Sequence, residues 1–374
     1  MINSLTYDVV IMGSGVAGCA TAIALKNLNS KLKIAILERG NSVIETNRIG
    51  ETLPPQASKV LQQLGIWDDF ATYNFITSYG TSAAWGSSQL YTNEYIYSPY
   101  GYGWYLDRPV FDGFMLNEAK KRGVDFFFET SCIASKKEAH NWVLDCNSNR
   151  IQQIINADFV VDATGKKAAF SVQQGAEKIA TDQLVGIYRF YDLKNKKKTG
   201  GKITKGSLVE TNEHGWWYSA VLPNDVLVAA YMTDADIAVA LQMKNAVVFE
   251  DFLSQTIHTG SRVDGKNEIT KPKIIAAHSQ CLNTATGDLW LAVGDAASCY
   301  DPISAAGIFK SLAMSNYAAY AVLDTINDQP SGLKKYQKII DHDFQGYLKK
   351  HQEYYNQEER FASSPFWNRR NKIH

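Results

Sequence analysis

The feature that most constrains this chain is a glycine-rich loop near its start. An apolar run over residues 9–12 leads directly into Gly13, Gly15 and Gly18, and an alanine-rich segment with helical character follows. In such a strand–loop–helix unit, the first glycine permits a tight turn, the second lets a pyrophosphate approach the backbone, and the third lets the helix pack closely against the strand. The bound anion then lies at the positive end of the helix dipole. The loop therefore predicts a dinucleotide-binding βαβ unit.

A second apolar strand strengthens this prediction. It spans residues 33–38 and ends in Glu38, about twenty residues beyond the last glycine, a spacing that lets a carboxylate accept hydrogen bonds from ribose hydroxyls. A glycine pattern on its own also occurs in ordinary turns. The strand before it, the helix after it and the acid at this distance together favour a dinucleotide site over that alternative.

Charge and hydropathy exclude several classes of protein. The 374-residue chain carries 38 basic and 38 acidic residues, so it lacks the excess positive charge expected of a protein that binds nucleic acid or acidic membranes. No apolar run approaches the ~20 residues that span a bilayer.

The length allows one large domain or two closely packed ones. The 8 Trp, 20 Tyr and 16 Phe predict aromatic-lined binding surfaces in addition to a core.

The cysteines indicate the compartment. They are scattered without CxxC pairs, and no segment resembles a cleavable signal peptide: Cys19, Cys132, Cys146, Cys281 and Cys299. We interpret them as reduced thiols of a cytoplasmic protein, and not as a disulfide framework or a metal site.

Three further segments indicate FAD rather than a nicotinamide cofactor. They are the turn at residues 162–165, the strand end that carries Asp295, and the loop at residues 301–308 that leads into a helix. FAD requires more of the protein because its ribityl chain and ring system extend well beyond the pyrophosphate. Asp295 can accept hydrogen bonds from ribityl hydroxyls, and N–H groups at the helix start can face the flavin edge where negative charge grows on reduction. Each segment alone also occurs as a structural feature, but the ordered set predicts FAD.

Together these segments resemble the flavoprotein hydroxylase superfamily of the p-hydroxybenzoate hydroxylase type, from residue 7 to about residue 326. The resemblance implies non-covalent FAD, with O2 as co-substrate. The FAD contacts that it implies are Gly13, Gly15, Gly18, Glu38, Arg39, Arg48, Arg108, Asp295, Gly307 and Ile308. It also puts Pro302 near the flavin ring.

The implied fold class is α/β (α+β). It combines a Rossmann-type FAD-binding βαβ fold with an inserted antiparallel-sheet substrate domain and C-terminal helices. We expect residues 1–75, 106–183 and 284–326 to form the FAD-binding domain. Alternating strand patterns predict that residues 76–105 and 184–283 form the sheet that binds substrate or partner. Residues 327–374 are expected to form a C-terminal helical segment, with a polar helix running to about Phe361 and a weakly specified tail.

Within the superfamily, residues 48–55 and 294–302 resemble flavin-dependent halogenases, but two positions depart from the tryptophan halogenases. Those enzymes carry a lysine shortly after the Gly-Glu helix, whereas residues 76–80 here contain none. They also carry a glutamate where this chain has Ser304. Because these two groups handle hypohalous acid, their absence argues against halogenation.

Residues 50–55, 103–108 and 216–219 look most like a smaller group of flavoproteins. That group matures the tryptophylquinone cofactor of enzymes such as lysine ε-oxidase and glycine oxidase. The resemblance implies an FAD-dependent monooxygenase that hydroxylates a peptidyl tryptophan in its partner, the precursor of a tryptophylquinone-dependent amino-acid oxidase. In the Trp-x-Leu-Asp-Arg element at residues 104–108, this chain has Tyr105 where the resemblance leads us to expect histidine.

Two other functions stay open at this point. One is a hydroxylase or halogenase of a small aromatic molecule, and the other is a flavin-binding maturation chaperone without catalysis. The source of electrons also stays open between a separate flavin reductase and transient binding of NAD(P)H.

The candidate catalytic and substrate residues follow from motif position. Glu51, Asp301 and Pro302 are expected near the flavin, and a loop cap is the alternative role for either acid. Aromatic side chains are expected to line the substrate entry by stacking, with burial in the core as an equally supported alternative for each: Trp85, Trp104, Trp216, Trp217 and Tyr218.

Overall fold

The computed structural model describes residues 4–41, 49, 51–148, 151–194, 206–263, 265, 267–329 and 331–371. Arg48, one of the predicted FAD contacts, lies outside these residues.

The first sheet is built around the strand that precedes the glycine loop. That strand, Ser4–Met12, pairs in parallel with both of its neighbours. Val9, Val10 and Ile11 are completely buried, as the near-continuous apolar sequence of a central parallel strand requires. Two antiparallel strands, Trp142–Ser148 and Thr130–Lys137, extend the sheet. The spatial order of the others is Thr286–Gly287, Trp290–Ala292, Ile151–Asp162, Ser4–Met12, Ile34–Leu37 and Asp125–Phe127.

The second sheet is mainly antiparallel and joins two separated parts of the chain. Gly80–Ala84 pairs in parallel with Ser207–Asn212, so the aromatic stretch near residue 80 and the middle of the chain share one sheet. The division of the chain into an FAD-binding domain, a sheet region and a C-terminal segment stays a prediction from the sequence. The spatial order is Asn267–Glu268, Leu184–Asp192, Val226–Asp234, Gly215–Leu222, Ser207–Asn212, Gly80–Ala84 and Tyr91–Glu94, with Lys273–Ala276 also paired to Leu184–Asp192.

Smaller sheets and helices complete the fold. One short sheet contains Thr52–Leu53, Gly103–Tyr105 and Ile76–Ser78, and another contains Lys178–Ala180, Gln280–Leu282 and Ser298–Cys299. The α-helices are Val16–Leu28, Ala57–Gln63, Trp67–Ala71, Arg108–Lys121, Ala169–Gln173, Ala235–Ala240, Ala246–Ser254, Thr259–Val263, Gly307–Ile326, Ser331–Tyr355 and Pro365–Asn371. Short 3₁₀ helices span Tyr95–Tyr97, Gly165–Lys167, Pro223–Asp225, Gly294–Ala296 and Pro302–Ser304.

The main hydrophobic core joins the first sheet to the Val16–Leu28 and Gly307–Ile326 helices. These helices touch directly, since the Ser315 hydroxyl donates a hydrogen bond of 3.2 Å to the Ala17 carbonyl. Both helices begin at the same cleft, where Val16 and Gly307 line the wall. The expected α/β class, with an added antiparallel sheet and C-terminal helices, is confirmed.

The C-terminal region differs from the sequence prediction. The polar helix ends at Tyr355, not near Phe361, and the tail expected to be weakly specified forms the Pro365–Asn371 helix. Its Phe366 and Trp367 side chains are completely buried in a cluster with Trp85 and Trp216. The tail is therefore held by long-range aromatic packing that local sequence patterns do not reveal.

In the part of the chain that the structure describes, no helix combines the length and the apolar composition needed to cross a lipid bilayer.

Candidate cofactor and substrate site

A cleft of about 1330 Å³ is lined by both large sheets. The first sheet and its connections contribute the glycine loop, Glu38, Arg108 and residues 163–167. The second sheet contributes side chains such as Tyr188, Tyr218 and Met232. Residues 299–308 close the wall between them. The segments that the sequence predicted to act together therefore meet in one cavity.

The glycine loop has the geometry that a pyrophosphate site needs. Gly13 has φ +107°, and a Cβ atom there would lie 2.4 Å from the Ala163 carbonyl oxygen. At Gly18 a Cβ atom would lie 2.0 Å from the Gly13 carbonyl oxygen. At Gly15 a Cβ atom would meet no atom within 4 Å. The first and third glycines are therefore required by the fold, whereas the second leaves open space in the cleft where a phosphate can approach the start of the helix.

Glu38 is held beside this loop by hydrogen bonds from the backbone. Its carboxylate accepts bonds from Ser14 N (2.9 Å), Ser14 Oγ (2.9 Å) and Gly40 N (2.8 Å). Burial opposes ionisation of Glu38, but the bonds from Gly40 and Ser14, with the charge of Arg39, outweigh it and hold the pKa of Glu38 below its ordinary value. Arg39 is exposed and also lines the cleft. An ionised acceptor for ribose hydroxyls is thus in place.

Arg108 supplies a buried positive charge at the cleft wall. Its Nη2 atom lies 3.1 Å from each carboxylate oxygen of Asp112, and its Nη1 donates to the Ile49 carbonyl at 3.3 Å. Both side chains of the pair line the cleft. Asp112, which sequence reasoning missed, orients the guanidinium that is predicted to contact FAD.

Asp162 is a structural residue of the small-residue turn. It is completely buried and accepts hydrogen bonds from Thr164 N (3.0 Å), Thr164 Oγ1 (2.6 Å), Ser171 N (2.7 Å) and Ser171 Oγ (2.7 Å). These bonds hold Ala163 against Gly13, which completes the wall behind the glycine loop.

Asp295 faces the cleft from a turn that packs against the glycine-loop helix. A Cβ atom at Gly294, where φ is +65°, would lie 2.5 Å from the Ala17 Cβ atom, so only glycine allows this close approach. Asp295 is half exposed and lines the cleft, and the buried Lys310 Nζ lies 3.6 Å from its carboxylate. Lys310 also contacts the Ser298 carbonyl and lies over the Tyr300 ring at 4.2 Å. Sequence reasoning missed this lysine, whose buried ammonium group lies beside the Asp295 carboxylate.

The loop at residues 301–306, which carries Pro302, is anchored by the C-terminal helix. The buried Asp301 carboxylate accepts hydrogen bonds from Ile303 N (2.8 Å) and from the Tyr355 hydroxyl (2.8 Å), and it pairs with His351 Nε2 at 3.1 Å. Burial, and then the Asp301 charge, raise the pKa of Tyr355, so its hydroxyl remains a donor. Asp301 therefore caps this loop, which was the alternative role that the sequence left open for it. Pro302, Gly307 and Ile308 line the cleft beside it.

Glu51 forms a hydrogen-bonded pair with Tyr218 across the cleft wall. The Tyr218 hydroxyl donates to the buried Glu51 carboxylate in a short contact, and both residues line the cleft. Burial, and then the charge of Glu51, raise the pKa of Tyr218 well above its ordinary value. The nearby Tyr105 hydroxyl instead accepts from Ser207 N at 2.8 Å, which ties the short sheet to the second sheet.

The five aromatic residues predicted at the substrate entry separate into two groups. Tyr218 and Trp216 line the cleft; Trp216 is also buried in the cluster that contains Trp85, and its Nε1 donates to the Tyr355 hydroxyl at 2.9 Å. Trp85, Trp104 and Trp217 are buried in the hydrophobic core, which was the alternative for each of them. Trp217 packs 4.8 Å from the Tyr231 ring, and Trp104 packs 5.4 Å from Phe70.

A lysine that the sequence analysis did not single out also faces the cleft. Lys166 follows the 162–165 turn, and its Nζ atom donates to the His278 carbonyl. Burial lowers its pKa, which the surrounding acids partly counteract. The signal that could have revealed it is its position directly after Gly165 in the 162–165 turn, since glycine readily adopts the φ of +65° found there.

The chain belongs to the FAD binding domain family, whose pattern matches residues 6–338. With the open space at Gly15, the ionised Glu38 and the cleft-facing Asp295, the residues present fit FAD. The protein is therefore a flavin-dependent oxidoreductase with FAD as its cofactor, as the sequence predicted.

Three individual proteins illustrate which flavoproteins this chain is similar to. Over 369 residues the chain is 29% identical to LodB of Marinomonas mediterranea, which is named as an FAD-dependent oxidoreductase, covering 98% of this chain and 97% of that protein. It is 23% identical to a chlorinase of 1H-pyrrole-2-carbonyl-peptidyl-carrier protein from Pseudomonas fluorescens, covering 86% of this chain and 77% of that protein. The fold of the myxobacterial chondrochloren halogenase CndH superimposes with a TM-score of 0.88 at 18% identity, covering 99% of this chain and 87% of that chain.

Proposed function

We propose that this protein is an FAD-dependent monooxygenase that hydroxylates a tryptophan side chain within a partner protein, the precursor of a tryptophylquinone-dependent amino-acid oxidase. The near full-length similarity to LodB supports this assignment, since the sequence resembles the flavoproteins that mature such cofactors. A cytoplasmic location, expected from the scattered cysteines, is part of the same proposal.

The observation that carries the proposal is a group of exposed aromatic and apolar side chains on the stretch of chain that also lines the cleft. Thr81, Asn93 and Tyr95 line the cleft, and the same stretch of chain exposes Tyr79 (72%), Ile96 (74%) and Tyr97 (95%) to solvent. Exposed apolar patches of this kind mark interaction sites. We call Tyr79, Leu90, Tyr91, Ile96, Tyr97 and Tyr102 the mouth surface.

The mouth surface matches a substrate that is part of another protein. An enzyme for a small molecule encloses its substrate, whereas one that acts on a protein side chain must open at its surface and let the partner complete the enclosure. The Pseudomonas chlorinase relative is named for a substrate carried on a protein. We therefore infer that the precursor docks its tryptophan-bearing segment against the mouth surface and inserts the indole toward Tyr218.

The protein's own residues position the indole and accept the proton that its ring loses during hydroxylation. Bound FAD supplies the oxidation chemistry, in which reduced flavin and O2 deliver one oxygen atom to the ring and the other leaves as water. The ring carbon that gains oxygen must lose a proton. We propose that Glu51, held by Tyr218, takes up this proton, because this buried carboxylate lines the cleft beside Tyr218.

The Glu51 role has a matched test. Tyr218→Phe should keep FAD binding and slow product formation, because the carboxylate loses the donor that orients it. Tyr231→Phe on the neighbouring strand removes a hydroxyl bonded to Asn212 at 2.9 Å and should leave the rate unchanged. Equal rates in both variants would remove the Glu51–Tyr218 pair from the mechanism.

The docking role is tested by the double variant Ile96→Ser/Tyr97→Ser. Modification of the precursor, and its co-purification with this protein, should fall, while FAD content and flavin reduction stay the same. Val239→Ser, at an apolar side chain that is 78% exposed on the Ala235–Ala240 helix, is the control. Precursor modification at the wild-type level in the double variant would contradict docking at the mouth surface.

One observation favours a second candidate, halogenation of an aromatic substrate. Ser78 and Ser304 stand where tryptophan halogenases carry lysine and glutamate, but Lys166 brings a different cation to the cleft. Supplying the protein with reduced flavin, O2, bromide and free tryptophan separates the two candidates. The proposed function predicts no bromotryptophan and poor turnover of free tryptophan.

A further inference from the structure

Two cysteines in the first sheet lie directly opposite each other. Cys132 on Thr130–Lys137 pairs with Cys146 on the antiparallel strand Trp142–Ser148. Opposed residues in such a pair have Cα atoms ~4.5–5.5 Å apart and project their side chains from the same face. Disulfides use Cα separations of about 4.4–6.8 Å. Directly opposed cysteines therefore fall in the range of Cα separations at which disulfides form.

A β-bulge produces this pairing. Asp145 pairs with Ala134, and the next residue, Cys146, pairs with Cys132, so Ile133 is the extra residue on its strand. Without the bulge, Cys146 would oppose Ile133, and Cys132 would project from the other face because side chains alternate along a strand. Bulges commonly redirect a side chain in this way beside functional sites.

The two thiols have complementary environments. Cys146 is completely buried, whereas Cys132 is partly exposed and lines the cleft. Thr130 N donates to the Glu38 carbonyl at 2.8 Å, so Cys132 lies on the Glu38 side of the cleft. A hydrogen bond from Cys146 lowers the pKa of Cys132, and the same contact, together with burial, raises the pKa of Cys146. Cys132 is thus the sulfur that a dissolved oxidant can reach, and Cys146 is the buried partner beside it, as in dithiol redox sites.

A second cysteine pair in the chain provides an internal comparison. Cys281 and Cys299 also lie on paired strands, Gln280–Leu282 and Ser298–Cys299. There Cys299 opposes Gln280 and Cys281 opposes Ser298, so the two thiols are offset by one position and project from opposite faces. Cys281 and Cys299 therefore lie on paired strands, as Cys132 and Cys146 do, but their thiols do not face each other as a disulfide requires.

We propose that Cys132 and Cys146 are a thiol-modification site that forms a reversible disulfide in the wall of the cofactor cleft, with hydrogen peroxide as the oxidant. Peroxide is released when O2 oxidises a reduced flavin without oxygen transfer to a substrate, so this protein's own cofactor generates the oxidant in the cleft that Cys132 lines. The proposal concerns the thiols alone and does not depend on what the enzyme hydroxylates.

The reaction balances as two thiols and one peroxide giving one disulfide and two waters. The Cys132 thiolate attacks one peroxide oxygen, the S–O bond forms, the O–O bond breaks, and the departing hydroxide takes a proton to become water. Cys146 sulfur then attacks the Cys132 sulfur and gives up its proton. The S–S bond forms, and the second oxygen leaves as water. The two sulfurs lose two electrons in total, which the peroxide accepts.

The test is treatment of the FAD-loaded protein with hydrogen peroxide, followed by alkylation of free thiols and peptide mass analysis without reductant. We expect a cross-linked peptide pair containing Cys132 and Cys146, which dithiothreitol reverses. Cys146→Ser should abolish the cross-link and let Cys132 oxidise further to the sulfinic acid, since the resolving thiol is lost. Cys132→Ser should leave Cys146 reduced.

The Cys281 and Cys299 peptides are the control and should yield no cross-link. The proposal is overturned if Cys132 and Cys146 stay reduced at a peroxide dose that oxidises added glutathione. It is also overturned if the Cys281–Cys299 cross-link forms to the same extent. Because the unmodified protein gives the primary result, the test holds even when a serine variant fails to fold.

Discussion

The Tyr355 hydroxyl donates a hydrogen bond of 2.8 Å to the buried carboxylate of Asp301. This contact joins the last turn of the Ser331–Tyr355 helix to the 301–306 loop at the cofactor cleft. Trp216 Nε1 donates to the same hydroxyl at 2.9 Å, so the second sheet is tied to the same point. The shape of the cleft beside Pro302 therefore depends on a helix that lies outside the predicted FAD-binding domain.

Tyr355→Phe should loosen this loop without removing the fold. Loss of a hydrogen bond to a charged acceptor costs ~1.5–3 kcal/mol of folding free energy. We expect a lower free energy of unfolding together with a changed flavin absorption spectrum. Tyr191→Phe is the control, because it breaks a Tyr–carboxylate bond of 2.6 Å to Glu250 in a different cluster. Its stability should fall while its flavin spectrum stays the same, and identical spectra in both variants would contradict the link.

Gly15→Ala and Gly13→Ala should separate cofactor binding from folding. A methyl group at Gly15 meets no protein atom within 4 Å, so the FAD-free variant should unfold at the wild-type temperature but bind FAD poorly. At Gly13 the same methyl group lies 2.4 Å from a carbonyl oxygen at φ +107°, so the FAD-free protein itself should be destabilised. Thermal unfolding and FAD titration of both variants provide the check. Wild-type FAD affinity in Gly15→Ala would show that the phosphate does not approach this glycine.

Asp295→Ala should weaken FAD binding while the chain stays folded. The lost hydrogen bonds involve a charged group, which corresponds to ~1.5–3 kcal/mol, or roughly ten- to hundredfold in affinity. Asp288→Ala removes an exposed carboxylate that is 3.0 Å from Lys137 and should change nothing. Equilibrium dialysis of FAD measures both variants, and unchanged affinity in the first would reduce Asp295 to a structural residue of its turn.

Glu38 predicts a pH dependence of the stability of the FAD-free protein. Its pKa in the folded state lies below the ordinary value of about 4.3, so its ionised form stabilises the fold above that pH. This contribution is lost as the pH falls through the folded-state pKa. The difference in unfolding free energy between wild type and Glu38→Gln should therefore be constant near neutral pH and shrink in acid. A difference that grows on acidification would contradict the assignment.

The cofactor side of the site was predictable because its signals are local. Gly13, Gly15 and Gly18 follow a strand and open a helix, Glu38 comes directly after the next strand, and Asp295 lies three residues after a buried strand. Each is defined by the chemistry of a turn and by a short distance along the chain. The family match over residues 6–338 agrees with that prediction.

The substrate side was less predictable because its contacts are long-range. Tyr355 and Asp301 are 54 positions apart, and Tyr218 and Glu51 are 167 apart. Composition shows that the chain is rich in aromatic residues, but not which face of a strand each side chain occupies. Trp216 and Trp217 are both buried, but Trp216 lines the cleft, whereas Trp217 packs in a different cluster on the opposite face of the same strand.

Oxygen transfer to a tryptophan of a partner protein can be measured directly. The precursor oxidase is co-expressed with this protein under isotopically heavy O2, and its peptides are analysed by mass. We predict heavy oxygen in one tryptophan-containing peptide when wild-type protein is present, and none with the FAD-deficient Gly15→Ala variant. If the precursor matures equally with that variant, or stays unmodified while free tryptophan is hydroxylated efficiently, this protein does not transfer oxygen to the precursor.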